Sequence, residues 1–152
     1  PAKGGVAVKL KELMNKQVIR IHPEESVAVA ARTLEHYNIG FLPVCRGDGH
    51  LCGLVTDRDL VTRCLAAGRS PASTPVRDVM TAQIVSAGPE METSAAAHLM
   101  GRRQIRRLPV VEGGRLCGIV SLGDLARQEE SGIDAADALA EISAGVTDGT
   151  IS

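Results

Sequence analysis

The sequence predicts an α+β fold with sandwich-like layering: two tandem β-α-β-β-α units packed sheet to sheet with pseudo-twofold symmetry. Three observations carry this prediction. The chain writes one phrase twice, Leu51-Cys52-Gly53-Leu54-Val55-Thr56-Asp57-Arg58-Asp59-Leu60 and Leu116-Cys117-Gly118-Ile119-Val120-Ser121-Leu122-Gly123-Asp124-Leu125. The copies align at an offset of 66 (Met14 with Met80, Pro23 with Pro89, Ala31 with Ala97, Ile39 with Ile105, Pro43 with Pro109), which becomes 65 after one extra residue in the loop at 46–50. The hydrophobic period also switches between strand and helix in the same order in each copy. One unit of about 60 residues could hardly bury enough surface alone, so two are expected to share a core.

The elements follow in order. Residues 9–15 form a lead-in helix. Val18-Ile19-Arg20-Ile21 reads as a short strand ended by Pro23. Ser26 caps a helix whose apolar positions Val27, Ala30, Ala31 and Leu34 fall at helical spacing. Asn38-Ile39-Gly40 is a left-handed stop. Strands at 41–45 and 51–56 flank a Gly47-Asp48-Gly49 turn, and Thr56 or Asp57 opens a helix through Ala67 that Gly68 closes. The second copy repeats the order: strand 84–87, helix 92–103, strand 107–111, a Gly113-Gly114 turn, strand 116–121 and helix 122–129. Pro75 suits the first turn of a short helix ending at Met80. Ile133, Ala136, Leu139, Ala140 and Ile142 mark a further amphipathic helix. The domain reading is therefore a first unit at 9–68, a linker at 69–75, a second unit at 76–130, and a C-terminal helix and tail at 131–152.

Composition narrows the function classes. With 152 residues, 44% hydrophobic, 23% charged and a net charge of −1, the chain has no bulk attraction for nucleic acid or anionic membrane. No apolar run approaches about 18 residues, so no membrane span is expected, and no leader is visible; the expected location is cytoplasmic. Cys45, Cys52, Cys64 and Cys117 read as reduced, mostly buried small hydrophobes, with a Cys45–Cys52 pair across the hairpin left open. His22, His36, His50 and His98 lack ligand spacing, so no metal site is expected. Met80, Met91 and Met100 read as gap fillers. There is no nucleophile–base pair, P-loop or G-x-G-x-x-G, so the chain is not read as an enzyme. With Tyr37 and Phe41 the only aromatics, a pocket for a base must have aliphatic walls.

The duplicated polar pairs, Thr56-x-x-Asp59 and Ser121-x-x-Asp124, carry the chemistry. Each fits a capping box at a helix start. Each also fits a ligand site, because a carboxylate accepts two hydrogen bonds from a vicinal diol, while a hydroxyl and backbone N–H groups at a helix start suit a phosphate. One motif can do both. Arg102, Arg103, Arg106 and Arg107 form a basic run, readable as a solvated helix end or as a phosphate contact, since Arg106 occupies the position of Gly40. Arg58 stands where the second copy has Gly123, so the two sites differ in charge.

These residues resemble a tandem pair of cystathionine-β-synthase (CBS) domains, a Bateman module, over roughly residues 9–130. The resemblance rests on Val79-Met80, Pro23 and Pro89, the Ile-x-x-Leu-Pro-Val segments beginning at Ile39 and Ile105, and Gly-h-h-Thr/Ser-x-x-Asp in both copies. It is most similar to small stand-alone bacterial CBS-pair proteins. That resemblance implies a non-catalytic sensor binding AMP, ADP or ATP in the inter-repeat clefts, with S-adenosylmethionine and NAD as alternatives and no required cofactor. It implies that Asp59 and Asp124 hold ribose and that Thr56 and Ser121 contact phosphate or ribose. Ile19, Leu42 and Pro43 would wall one cleft, and Ile84, Leu108 and Pro109 the other; Arg58 and Arg106 would set charge. It also implies a homodimer that passes its state to an unknown protein partner. The competing expectation is a ligand-free dimeric scaffold or stress-response interaction protein; nucleic-acid binding is a third, weaker one.

Overall fold

The computed structural model describes residues 7–128 and 132–147. In chain order the elements are α1 (Leu10–Leu13), α2 (Val27–Tyr37), β1 (Phe41–Cys45), β2 (Leu51–Thr56), α3 (Asp57–Asp59) running into a π-helical segment (Leu60–Leu65), a 3-10 turn (Val76–Asp78), α4 (Thr93–Arg103), β3 (Arg107–Glu112), β4 (Arg115–Ser121), α5 (Leu122–Ala126) and α6 (Gly132–Thr147). β1 pairs antiparallel with β2, and β3 pairs with β4, giving two small sheets, each with helices of its own. The β-α-β-β-α order is borne out in this reduced form. No described helix is long and apolar enough to cross a membrane.

The expected strands at 18–21 and 84–87 are each a single parallel bridge, Ile21 to Val44 and Ala87 to Val110. Prolines explain this. The Ile21 N–H donates to the Pro43 carbonyl and the Cys45 N–H to the Ile21 carbonyl, while Ala87 makes the same bonds with Pro109 and Val111. The next rung one way would need an N–H from Pro43 or Pro109, and the other way from Pro23 or Pro89. Proline has none, so both ladders stop after one residue.

The chain divides into two compact units that regroup the sequence repeats. One comprises Ile19–Ile84 with Gly114–Leu116; the other comprises the chain up to Val18, Val85–Gly113 and the chain from Cys117. The lead-in at 9–15, expected to belong with the first repeat, packs instead with elements of the second. The Leu10 N–H donates to the Met91 carbonyl, Lys9 bridges Glu92, and Asn15 bridges Ile119. The lead-in of the second repeat makes the matching contacts with the first: Val76 with Glu25, Pro75 with Ser26, and Thr81 with Leu54. Leu10 is fully buried, and Lys9 and Lys11 each reach Glu90 at 2.9 Å. Those two ammonium groups, Lys11 foremost, hold the Glu90 carboxyl down to about 2. The pairs are exposed and screened, so burial of Leu10 does more than they do to seat the segment.

Each unit has its own aliphatic core. One is built on Ile21, Val27, Ala30, Leu34, Leu42, Val44, Val55 and Val79, the other on Leu10, Ala96, Ala97, Met100, Leu108, Val110, Val120 and Leu125. Ser26 caps α2 by accepting the Val29 N–H at 3.2 Å, and Asn38 stops it with φ 53°, as expected from sequence. The final helix of the first repeat departs from expectation. Its Ala66 and Arg69 N–H groups donate five residues back, to Val61 and Cys64. This wider turn keeps Leu60 and Cys64 in the core and leaves Val61 and Leu65 exposed. α5 ends at Ala126, and Glu129, expected to close it, lies outside the described residues. None of the four cysteines forms a disulfide; Cys45 and Cys64 are buried, and burial pushes the Cys45 thiol up, away from reactivity.

One side chain is out of place. Thr93 is fully buried at the first turn of α4, and its hydroxyl has no hydrogen-bond partner. The equivalent residue in the first repeat is Val27, also buried. A buried hydroxyl without a partner costs about 1–3 kcal/mol, and valine matches threonine in shape. Thr93→Val is therefore expected to raise Tm by about 2–10 °C, and Val27→Thr to lower it, as read by thermal denaturation. An unchanged Tm in both would mean that the hydroxyl finds a partner.

Candidate functional site

The two motif junctions are built alike. Thr56 ends β2 with extended backbone, and its hydroxyl accepts the Asp59 N–H at 3.1 Å, while the Asp59 Oδ2 accepts the Thr56 N–H at 2.9 Å. Ser121 and Asp124 make the same reciprocal pair, both at 3.0 Å. Each is a complete capping box. The second carboxylate oxygen of each aspartate faces an arginine one turn later: Asp59 Oδ1 lies 3.7 Å from Arg63 Nε, and Asp124 Oδ1 lies 2.5 Å from Arg127 Nη2. The Asp59 side chain is 12% exposed and that of Asp124 27%, so both still meet solvent.

A further bond places the neighbouring residue. The Asp57 N–H donates to the Gly40 carbonyl at 3.0 Å, and the Leu122 N–H to the Arg106 carbonyl at 2.8 Å. Residues 40 and 106 thus stand against their junctions, as the alignment expected. In the second case the junction opens into a cleft of about 470 Å³, lined by Arg106, Arg107, Ser121, Leu122 and Gly123 and, from α6, by Ala135, Ala136 and Leu139. That volume falls within the range of small-molecule sites.

α6 reaches this position by packing on α4. Ala135, Ala138 and Ile142 are buried, and His98 Nε2 lies 2.8 Å from Asp134 Oδ1. A Cβ on Gly101 would lie 3.0 Å from the Ala138 Cα, so glycine permits the close approach.

The residues expected to wall the sites divide. Leu42 and Leu108 are fully buried in the two cores and present no surface. Pro43 and Pro109 are also buried, whereas Ile19 and Ile84 are half-buried. Ile84 ends the unit that carries Thr56 and Asp59, not the one that carries Ser121 and Asp124. Arg58 is exposed; its backbone N–H donates to Asp57 Oδ1 at 2.8 Å. Arg102 and Arg103 are exposed at the end of α4, where cations complement the helix dipole. Sequence reading missed Arg63 and Arg127, although an arginine three or four residues after each aspartate was a visible signal. It also missed the α6 wall, for which amphipathicity alone names no docking face. Among the described residues, no group of three or more His, Cys, Asp or Glu comes together to hold a metal.

The CBS domain family model matches residues 10–66 and 76–131. The chain belongs to the CBS-domain family. The CBS domain-containing protein YhcV of Bacillus subtilis is 42% identical over 134 residues, covering 88% of this chain and 94% of its own. Hypoxic response protein 1 of Mycobacterium tuberculosis is 33% identical over 117 residues, 77% of this chain and 82% of its own. Among solved structures, Hypoxic Response Protein I with two coordinated zinc ions has a TM-score of 0.73 at 32% identity, covering 80% of this chain and 98% of that one. The CBS domain pair of protein MJ0100, in complex with 5′-methylthioadenosine and S-adenosyl-L-methionine, has a TM-score of 0.68 at 28% identity, covering 80% and 95%. CBS domains are a non-catalytic regulatory module, some of whose members bind adenosyl ligands. The two CBS matches follow the repeats as written in sequence; the compact units exchange their lead-in segments.

Proposed function

We propose that this CBS pair is a regulatory sensor that binds adenosine-containing ligands at the Thr56–Asp59 and Ser121–Asp124 junctions. AMP, ADP or ATP is the leading class, with S-adenosylmethionine and NAD as alternatives, and the bound state is passed to a partner, with the chain acting as a homodimer. The observation that carries the reading is the cleft at Ser121, lined by that helix-start residue, the cationic Arg106 and aliphatic residues of α5 and α6, with the partly exposed Asp124 bonded to Ser121. Asp124 and Asp59 would hold the ribose diol, and Ser121 and Thr56 the ribose or phosphate. Arg106 would take the phosphate. Leu42, Leu108, Pro43 and Pro109 would act from beneath by fixing the strand ends, and Ile19, Ile84 and Arg58 from the margins. A CBS pair solved with 5′-methylthioadenosine and S-adenosyl-L-methionine supports the ligand class.

A second reading has one observation in its favour: both capping boxes are complete without a ligand. The chain would then be a ligand-free dimeric scaffold or stress-response interaction protein. Thermal denaturation against AMP, ADP, ATP, S-adenosylmethionine and NAD separates the two. A ligand at a hundred times its Kd stabilises by about 2.7 kcal/mol, and a clear upward shift is expected with at least one. A folded protein indifferent to all five would favour the scaffold.

A further inference from the structure

We propose that the two junctions sort adenosine ligands by charge. The Ser121–Asp124 junction takes an adenosine bearing a 5′-phosphate, and the Thr56–Asp59 junction takes one whose 5′ substituent is uncharged or cationic. This rests on the reading above and concerns which member of the class goes where.

The argument is a residue-by-residue comparison of two copies with the same backbone bonds. Where the second copy has Arg106 and Leu122, the first has Gly40 and Asp57. The Asp57 carboxylate lies over the position an arginine would need: its Oδ2 is 3.4 Å from where a Cβ on Gly40 would sit. It is held there because its Oδ1 accepts the Arg58 N–H at 2.8 Å. A phosphate entering beside Gly40 meets that carboxylate, a like charge at short range. A sulfonium or thioether does not suffer this repulsion. Two cations stand near this junction: Arg58 is exposed to water, where its effect is screened, and Arg63 is engaged by Asp59 and by the Val79 and Met80 carbonyls.

The second junction reverses each feature. Leu122 brings no charge, and Arg106 and Arg107 both line the cleft together with Ser121. The α6 wall of Ala135, Ala136 and Leu139 lowers the local polarity, which strengthens an arginine–phosphate contact. The first repeat has no helix equivalent to α6 in the chain order.

Calorimetry with AMP and 5′-methylthioadenosine, the same nucleoside with different 5′ groups, tests the inference on the full chain. Asp59→Asn isolates the second junction and Asp124→Asn the first; asparagine can still accept the capping N–H, which guards the fold. The second junction is expected to prefer AMP by roughly tenfold or more, the scale of one charge-assisted hydrogen bond, and the first to prefer 5′-methylthioadenosine. Asp57→Asn in the Asp124→Asn background should raise AMP affinity and leave 5′-methylthioadenosine unchanged. Arg106→Gly in the Asp59→Asn background should erase the AMP preference. Equal AMP to 5′-methylthioadenosine ratios at the two junctions, or no response to Asp57→Asn, overturns the sorting while leaving the sensor reading intact. If neither compound binds the wild-type chain, the sorting falls, while the sensor reading falls only if the five-ligand denaturation series is also flat.

Discussion

Gly53→Ala is expected to destabilise the fold by about 3 kcal/mol, lowering Tm by about 10 °C. The reason is a close approach between backbones. A Cβ built on Gly53 would lie 2.6 Å from the Thr81 carbonyl oxygen and 3.0 Å from Met80 Sδ. The sulfur can move aside. The carbonyl cannot, because Thr81 is paired with Leu54, each donating its N–H to the other's carbonyl, at 2.8 and 2.9 Å. Gly118 repeats the situation in the other unit, where the added Cβ would meet the Asn15 carbonyl oxygen and the Met14 side chain, both at 2.8 Å. Gly118→Ala should therefore cost a similar amount, and for the same reason: each glycine lets the exchanged lead-in segment lie against the strand. Gly47→Ala is the control, since nothing lies within 4 Å of its added Cβ; its effect should stay within about 0.5 kcal/mol. Equal Tm values for the Gly53 and Gly47 variants would mean that the lead-in is not held against β2.

Asp124→Asn is expected to retain the fold and to weaken adenosine-ligand binding by roughly ten- to a hundredfold. Asparagine keeps one oxygen to accept the Ser121 N–H, so the capping box survives. It loses the negative charge that faces Arg127, and its amide nitrogen cannot accept from a diol. Asp124→Ala removes the carboxylate half of the capping box as well and should lose about 1 kcal/mol of stability besides the ligand. The same pair of substitutions at Asp59 should act in the same direction at the other junction. This set separates the two roles that one motif can play. If the asparagine variants bind adenosine ligands as the wild type does while the alanine variants only lose stability, the aspartates are caps and nothing more.

Much of this was readable from the order of residues. The duplication, both hairpins, the Ser26 cap, the Asn38 stop and the two Thr/Ser-x-x-Asp junctions all stand where the repeat placed them. The single-rung ladders were also readable in principle, because Pro23, Pro43, Pro89 and Pro109 each lack the N–H that a longer ladder needs. Leu42 and Leu108, read from sequence as wall residues, are fully buried in the two cores, a placement the motif itself does not specify. The arginines paired with the motif aspartates were visible as spacing, but spacing alone leaves open which charges meet.

The sequence by itself determined the local elements, their duplication and the chemistry at each helix start. Those depend on period, turn residues and caps within a few positions along the chain. Only the tertiary structure decided that the lead-in of each repeat completes the unit of the other, and that α6 forms one wall of the Ser121 cleft. These outcomes depend on close approaches at Gly53, Gly118 and Gly101 between segments distant in sequence. A glycine in sequence records that space is needed there, but which backbone fills that space is settled only when the whole chain packs.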